Sequence, residues 1–352
     1  MPLKQGVRLP TVAEYAQSLM PIDFESDEAT INLFGAITEP NTDLVLAVQT
    51  GQGRYRFMPG PEFSPRLYRG QIQLDDSEPC IPSLYRQPRR IDSLYWVAKA
   101  IELFGVLAKH PASLDLATFE IEGLTFDFNI EALAQHYQYP TALLDFSRSK
   151  EVAMFFATCS YDAETGHCLP RPSGSNAVLY TADLRALILH REGHSKLLPL
   201  GLEPLPRPEA QRAMAIKLSP SENLHEMPWI QRTPIEITPD LSKRYFEMFN
   251  EGRTLFPVNA FDQHIQILRT NRTVPTSVIE FGMAHGWLPP HPQGSAGAVG
   301  ALKAAGYSVT TNSQADIDQS VLDAATLEWQ RRRAGYFGRI RMRGICDHLV
   351  LP

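Results

Sequence analysis

Closely spaced cysteines, long apolar runs and a strong excess of one charge are all missing from this sequence. The four cysteines, at positions 80, 159, 168 and 346, are widely dispersed. Zinc-binding cysteines usually come in pairs about two to four residues apart, and the sequence contains no such pair. We therefore expect structural thiols in a reducing compartment and no metal site.

The apolar stretches are short. None approaches the roughly 20 residues that span a bilayer, and residues 1–18 mix charged with apolar residues, without the continuous apolar core of a secretory signal. We expect a cytoplasmic protein that does not enter membranes. The formal net charge of −6 gives no general attraction to nucleic acid or anionic lipid, so such a contact needs a local basic patch.

The composition is that of an ordinary globular protein, with 43% hydrophobic and 20% charged residues among 352. A chain of this length forms one large core or two modest ones. The order of the apolar patterns predicts an α+β fold, with a mixed central β-sheet flanked by helices and a small N-terminal β element. The predicted units are an N-terminal helix and β element (1–60), a main domain (61–305), and a C-terminal helix with a basic strand packing on the core (306–352).

Apolar spacing and capping residues predict helices at residues 11–20, 91–108, 128–137, 149–158, 239–252, 275–286 and 298–305. Short apolar runs between turn residues predict two or three strands within residues 31–58. The same signal predicts further strands at 67–70, 143–145, 176–180, 255–256, 265–268 and 338–343. Residues 170–176 and 198–209 are rich in proline and are predicted to be surface connections.

Two motifs stand out by their order along the chain. The first is Leu67-Tyr68-Arg69-Gly70-Gln71. The second leads into the predicted helix at 149–158 and reads Gln135-His136-Tyr137-Gln138-Tyr139-Pro140-Thr141-Ala142-Leu143-Leu144-Asp145-Phe146-Ser147. This order resembles the FRG domain, a family with an aromatic-Arg-Gly element and a His-Tyr-Gly-x-Pro-Thr-Arg-Leu-Leu-Asp-Trp segment before a similar helix.

The resemblance extends over roughly residues 63–302. Three features depart from the family pattern. Gln138 and Tyr139 stand where the family usually has Gly and a small apolar residue, Ala142 replaces the usual Arg, and Phe146 replaces the usual Trp. The Arg missing at position 142 removes one potential contact to an anion.

Each motif residue admits a functional and a structural interpretation. Arg69 beside Gly70 offers a guanidinium fork with close backbone access, which suits a ribose or a diphosphate. The same arginine could instead clamp Asp145 or a backbone carbonyl. His136 and Tyr137 could bind a planar ring, or cap a helix end and fill the core. Asp145 could neutralise Arg69 beside a cleft, or satisfy local backbone donors.

An early Arg, a His-Tyr pair and a late acidic residue also resemble the layout of ADP-ribosyltransferase folds. That likeness implies NAD as cofactor, a nucleotide-like ligand, a protein or nucleic-acid acceptor, and a toxin or phage-defence setting. It implies catalytic roles for Arg69, His136, Tyr137 and Glu251, with Glu247 as a substitute for the last. It implies ligand contacts from Tyr68, Arg69, Gly70, Gln71, Thr141 and Asp145. Glu247 and Glu251 equally fit solvated helix charges.

A non-enzymatic module that binds nucleic acid or protein is the alternative. Six arginines between positions 331 and 343 are interleaved with Tyr336 and Phe337, and could contact phosphates while the rings stack on bases. The same run fits a solvated helix followed by a strand, in which Ile340 and Met342 pack inward and the arginines stay outside.

Overall fold

The computed structural model describes residues 43–50, 53–59, 66–72, 79–162, 166–174, 176–189, 196–200, 203–311, 316–338 and 340–351. The helix predicted at residues 11–20 lies outside these ranges, as does the part of the predicted strand region before residue 43. Across the described ranges, every helix is too short or too polar to cross a membrane.

The strands account for most of the framework around the two motifs. They are β1 (Asp43–Thr50), β2 (Tyr55–Pro59), β3 (Arg66–Gln71), β4 (Glu120–Ile121), β5 (Leu124–Thr125), β6 (Leu143–Ser147), β7 (Cys159–Tyr161), β8 (Cys168–Pro170), β9 (Asn176–Asp183), β10 (Leu197–Pro199), β11 (Ala213–Lys217), β12 (Ile230–Glu236), β13 (Thr273–Pro275), β14 (Ser308–Thr310) and β15 (Ile340–Leu351).

The helices connect these strands and pack around them. They are α1 (Arg90–Leu107), α2 (Pro111–Thr118), α3 (Ile130–His136), α4 (Lys150–Thr158), α5 (Leu184–Leu189), α6 (Arg207–Ala210), α7 (Pro239–Met248), α8 (Asp262–Thr270), α9 (Thr276–Ala284), α10 (Gly294–Ala304) and α11 (Gln319–Gly338). The helices predicted around α1, α3, α4, α7, α9 and α10 are confirmed.

The central sheet has six strands in the order β10-β11-β6-β3-β9-β12. The α+β class is confirmed. All pairings in this sheet are antiparallel, whereas the sequence led us to expect a mixed sheet. Parallel pairs occur outside it, between β1 and β15 and between β13 and β14. Among these neighbouring pairs, β10 and β11 follow one another along the chain, and the other pairs are joined by long connections.

The sheet opens between β3 and β6. Strand β3 pairs with β9 along its whole length, but with β6 only where Tyr68 lies opposite Ser147. Beyond this pair the two strands separate, and the Arg69 side chain spans the gap by donating from Nη1 to the carbonyl oxygen of Asp145 at 3.0 Å. A side chain therefore takes the place of the missing backbone ladder.

Helix α4 packs directly against β3 because Gly70 has no side chain. A Cβ at this position would lie 1.8 Å from the carbonyl oxygen of Ala153. The helix begins where the sequence predicted, since the Oγ of Ser149 accepts a hydrogen bond from the amide of Val152 at 3.3 Å. The backbone of the first motif thus touches the apolar helix that follows the second.

A second, three-stranded sheet has the order β15-β1-β2. Its core contains Ala47, Phe57 and Phe126, and the inward residues of β15 that the alternation predicted, Ile340 and Met342, pack against them. The first and last described strands of the chain are therefore neighbours.

Three predicted elements are wrong. Residues 198–209 are not a surface connection, because β10 pairs with β11 and Leu205 is fully buried. Residues 265–268 belong to helix α8 rather than to a strand: Ile265 and Leu268 are buried three positions apart, while Ile267 is 51% exposed. Residues 255–256 form part of a turn.

Candidate functional site

The gap between β3 and β6 is a cavity of about 340 Å³, which we call the Arg69 cavity. Both sequence motifs line it, the first through residues Tyr68 to Gln71 and the second through His136 and Asp145. Side chains that are 67 and 76 positions from Arg69 along the chain thus share one hollow with it. Aromatic rings further along the chain complete the wall.

Arg69 uses only part of its guanidinium group within the protein. Nη1 donates to the Asp145 carbonyl oxygen, which is the backbone clamp that the structural interpretation predicted. Nε is buried and has no hydrogen-bond partner. A buried donor without a partner is unfavourable, so an acceptor that reached this nitrogen would be stabilised.

His136 is held in one orientation by Gln211. The imidazole side chain is 2% exposed, and its Nδ1 lies 2.9 Å from Oε1 of Gln211. Gln211 donates from Nε2 to the carbonyl oxygen of Leu255 at 3.0 Å, which turns its oxygen towards the imidazole. The network therefore assigns a proton to Nδ1 of His136 and, in the neutral ring, a lone pair to Nε2.

Asp145 faces His136 without bonding to it. Oδ1 of Asp145 lies 3.9 Å from Nε2 of His136, and each of these atoms is buried without a hydrogen-bond partner. Burial raises the pKa of Asp145, while the nearby His136 and Arg69 lower it in part. Three residues that line one cavity thus each have a buried polar atom without a hydrogen-bond partner.

Two of the predicted site residues lie outside the cavity lining. Tyr137, the residue after α3, is buried: its hydroxyl accepts from Nδ2 of Asn259 at 2.9 Å, and the guanidinium of Arg207 lies 4.3 Å from its ring centre. Burial raises the pKa of Tyr137. Thr141 is buried as well and donates its hydroxyl hydrogen to Oε1 of Gln135 at 2.7 Å. Both positions fit structural roles.

The acidic residues predicted to act in catalysis, Glu251 and its substitute Glu247, also lie away from the cavity wall. Glu251 is exposed, has a left-handed backbone with φ of 62°, and pairs with Arg253. Glu247 is exposed on α7, where its Oε1 lies 3.7 Å from Nζ of Lys243. Within the described part of the lining, Asp145 supplies the acidic side chain instead. The catalytic role given to Glu251 stays a prediction.

Sequence reasoning missed Gln211, which is the positioning partner of His136. No local signal marks this residue. It lies between α6 and β11, and only the fold places it next to the second motif. Gln138 was also not predicted as a site residue, although the family pattern marks its position. It lines the cavity with φ of 67°, a left-handed conformation that glycine adopts without strain, and it stands where the resembled family usually has Gly.

Part of the basic C-terminal segment contributes to the fold. Nη2 of Arg332 donates to the carbonyl oxygen of Pro204 at 2.7 Å, and Arg333 pairs with Asp115. Tyr336 is 2% exposed and Phe337 packs beside it, so neither ring offers an open stacking platform. Arg339 and the side chains of Arg341 and Arg343 lie outside the described part of the chain.

No group of three His, Cys, Asp or Glu residues able to hold a metal ion occurs among the described residues. The family model described as FRG domain matches residues 64–166. That segment contains Arg69, His136 and Asp145, whereas Gln211 and Phe256 of the same cavity lie beyond it. Comparisons with curated proteins and with solved structures gave no match.

Proposed function

Taking the FRG domain at residues 64–166 as the premise, we propose that the Arg69 cavity binds a nucleotide-like ligand. The observation that carries the proposal is the convergence of three unpartnered polar atoms: Nε of Arg69, Nε2 of His136 and Oδ1 of Asp145. A folded protein rarely buries three such groups together without a partner that satisfies them. A ligand with acceptors, donors and a planar ring supplies those partners.

The charges in the cavity suit NAD. A guanidinium suits a phosphate or ribose oxygen, and the Asp145 carboxylate suits the positive nicotinamide ring, which on entry would favour the ionised form of Asp145. Phe156 and Phe256 supply apolar surface for a ring. The cavity volume of about 340 Å³ lies near the lower end for ligand sites. It takes the nicotinamide-ribose part, with the remainder of NAD at the mouth.

The activity that follows is ADP-ribosyl transfer, in a toxin or phage-defence setting. The bond between the ribose carbon and the nicotinamide nitrogen breaks, and nicotinamide leaves with the electron pair. An acceptor oxygen or nitrogen then bonds to that carbon and loses its proton. Nε2 of His136 accepts a proton from a ribose hydroxyl or from the acceptor, while Asp145 stabilises the positive charge that develops on the sugar. This chemistry depends on positioning more than on a strong base.

The test is binding and turnover of NAD labelled in its ADP-ribose part, with and without a cell lysate. Arg69→Ala should lose NAD binding by about tenfold or more, because a hydrogen bond to a charged group is removed. Arg66→Ala is the matched control, since Arg66 lies on the same strand but is exposed and does not line the cavity. Melting curves should show that both variants fold.

Three outcomes separate the alternatives. NAD bound and label transferred to a lysate component supports the transferase. NAD bound but left intact limits the protein to a binding module. If Arg69→Ala binds NAD as well as Arg66→Ala does, the nucleotide proposal is refuted, and salt-dependent binding of RNA or DNA becomes the next measurement.

A further inference from the structure

The chain contains a second and larger cavity, of about 800 Å³, which we call the Arg54 cavity. It lies on the other side of the segment that joins α3 to β6 and shares no lining residue with the Arg69 cavity. Thr141 belongs to its wall and Gln135 to the wall of the Arg69 cavity, so their hydrogen bond crosses the partition between the two.

One wall of the Arg54 cavity is apolar. Val97, Ile101 and Phe104 lie on one face of α1, three to four residues apart, and all line the cavity. Trp287 closes this wall, with its ring 5.2 Å from that of Phe104 in an edge-to-face arrangement. Trp287 remains 40% exposed. Because this hydrophobic wall is open to solvent, the free energy of the system falls when an apolar group covers it.

The lining of the cavity also contains charged residues, and their charges do not cancel. Among the lining residues, Nε of Arg56 lies 2.8 Å from Asp127 and Nζ of Lys217 lies 3.1 Å from Glu131. Each of these cations has a carboxylate partner. Arg54 donates from Nη2 to the carbonyl oxygen of Phe126, and its Nε is buried without a hydrogen-bond partner. Three cations thus face two carboxylates, which leaves one positive charge.

From this geometry we infer that the Arg54 cavity is a binding site for a small amphipathic monoanion, with an apolar body on the Val97-Ile101-Phe104-Trp287 wall and an acidic head group at Arg54. The head group supplies the acceptor that Nε of Arg54 lacks, and its single negative charge balances the cavity. A volume of about 800 Å³ is within the usual range of 300–1,000 Å³ for ligand sites. A cation cannot pair with the guanidinium, and a zwitterion leaves the net positive charge of the cavity unbalanced.

The probe for this site is 8-anilinonaphthalene-1-sulfonate, whose fluorescence rises when its aromatic body enters an apolar site and whose sulfonate carries one negative charge. Titration of the folded protein should show one saturable site. Arg54→Ala should weaken binding by about tenfold or more, because it removes a charge-assisted hydrogen bond. Ala100→Phe, which places a ring inside the same wall, should abolish binding.

Arg69→Ala is the matched control, because it removes a cation from the other cavity and should leave the probe affinity unchanged. Decanoate and decyltrimethylammonium, used below their micelle concentrations, have the same apolar chain and opposite charges. Decanoate should displace the probe, and decyltrimethylammonium should not. The inference is overturned if Arg54→Ala keeps the affinity of the unaltered protein, if Arg69→Ala weakens the probe equally, or if both competitors displace it alike. If Ala100→Phe fails to fold, the comparison of decanoate with decyltrimethylammonium still tests the inference.

Discussion

Replacing Gly70 by alanine should destabilise the protein strongly, because β3 meets α4 at this residue. The new Cβ would lie 1.8 Å from the carbonyl oxygen of Ala153 and 2.7 Å from the amide nitrogen of Ala157. Ordinary van der Waals contact begins at 3.4 Å. The strand and the helix must therefore separate by about 1.6 Å, the difference between the first and the last of these distances.

The clash cannot be relieved by rotating a side chain, since both opposing atoms belong to the backbone of α4. Inserting a single methyl group into a packed core usually costs about 1–3 kcal/mol. Here a whole helix must move, and it carries Val152 and Phe155 in buried clusters with β-strand and turn residues. We expect the free energy of unfolding to fall by about 3 kcal/mol or more. Because Val152 also lines the Arg69 cavity, ligand binding should weaken as well.

Urea denaturation followed by circular dichroism measures this effect. Gly105→Ala is the matched control, because Gly105 lies within α1 and an added Cβ meets no atom within 4 Å. Alanine stabilises a helix interior relative to glycine, so this control should gain about 0.5–1 kcal/mol. The reasoning fails if Gly70→Ala unfolds at the same urea concentration as the unaltered protein, or if both variants shift in the same direction.

Two further substitutions test buried charge and backbone strain. Burial raises the pKa of Glu203 from 4.5 to about 8, so the folded state favours its neutral form and loses stability as the pH rises through that interval. Glu203→Gln stays neutral, and its stability relative to the unaltered protein should increase between about pH 5 and about pH 8; a difference that does not vary with pH would contradict this. Gln138→Gly should raise the free energy of unfolding by about 0.5–1 kcal/mol, because glycine adopts φ of 67° without strain. Gln138→Ala keeps a Cβ in the same conformation and should bring no such gain, and equal stability of the two variants would show that strain at this residue is negligible.

The elements around the two motifs could be predicted because their signals are local. Helix α4 has a serine cap and an apolar face within ten residues, and β3 contains, one residue before its end, the glycine that its packing requires. The order of Arg69, His136 and Asp145 along the chain indicated a shared site, and the structure places all three at one cavity. Whether they bind NAD stays a prediction.

The errors arose where long-range packing decides the outcome. The prolines at 198–209 suggested exposure, but Pro199 ends strand β10, at the edge of the central sheet, where a missing backbone donor is tolerated. The run at 265–268 was too short for its period to distinguish helix from strand. Gln211 could not be identified because its role depends on three contacts, to His136, Ser147 and Leu255, that are distant in sequence.

The parallel pairing of β1 with β15 sets an order on folding during synthesis. Strand β1 forms its first described pair, Asp43 with Ile340, across nearly the whole chain. On the ribosome, residues 43–59 must therefore wait for about 300 further residues to be made before their sheet can close. Arg54 and Arg56 lie within residues 43–59, so the charged lining of the Arg54 cavity is completed late, whereas the described lining of the Arg69 cavity, from Tyr68 to Phe256, is synthesised earlier.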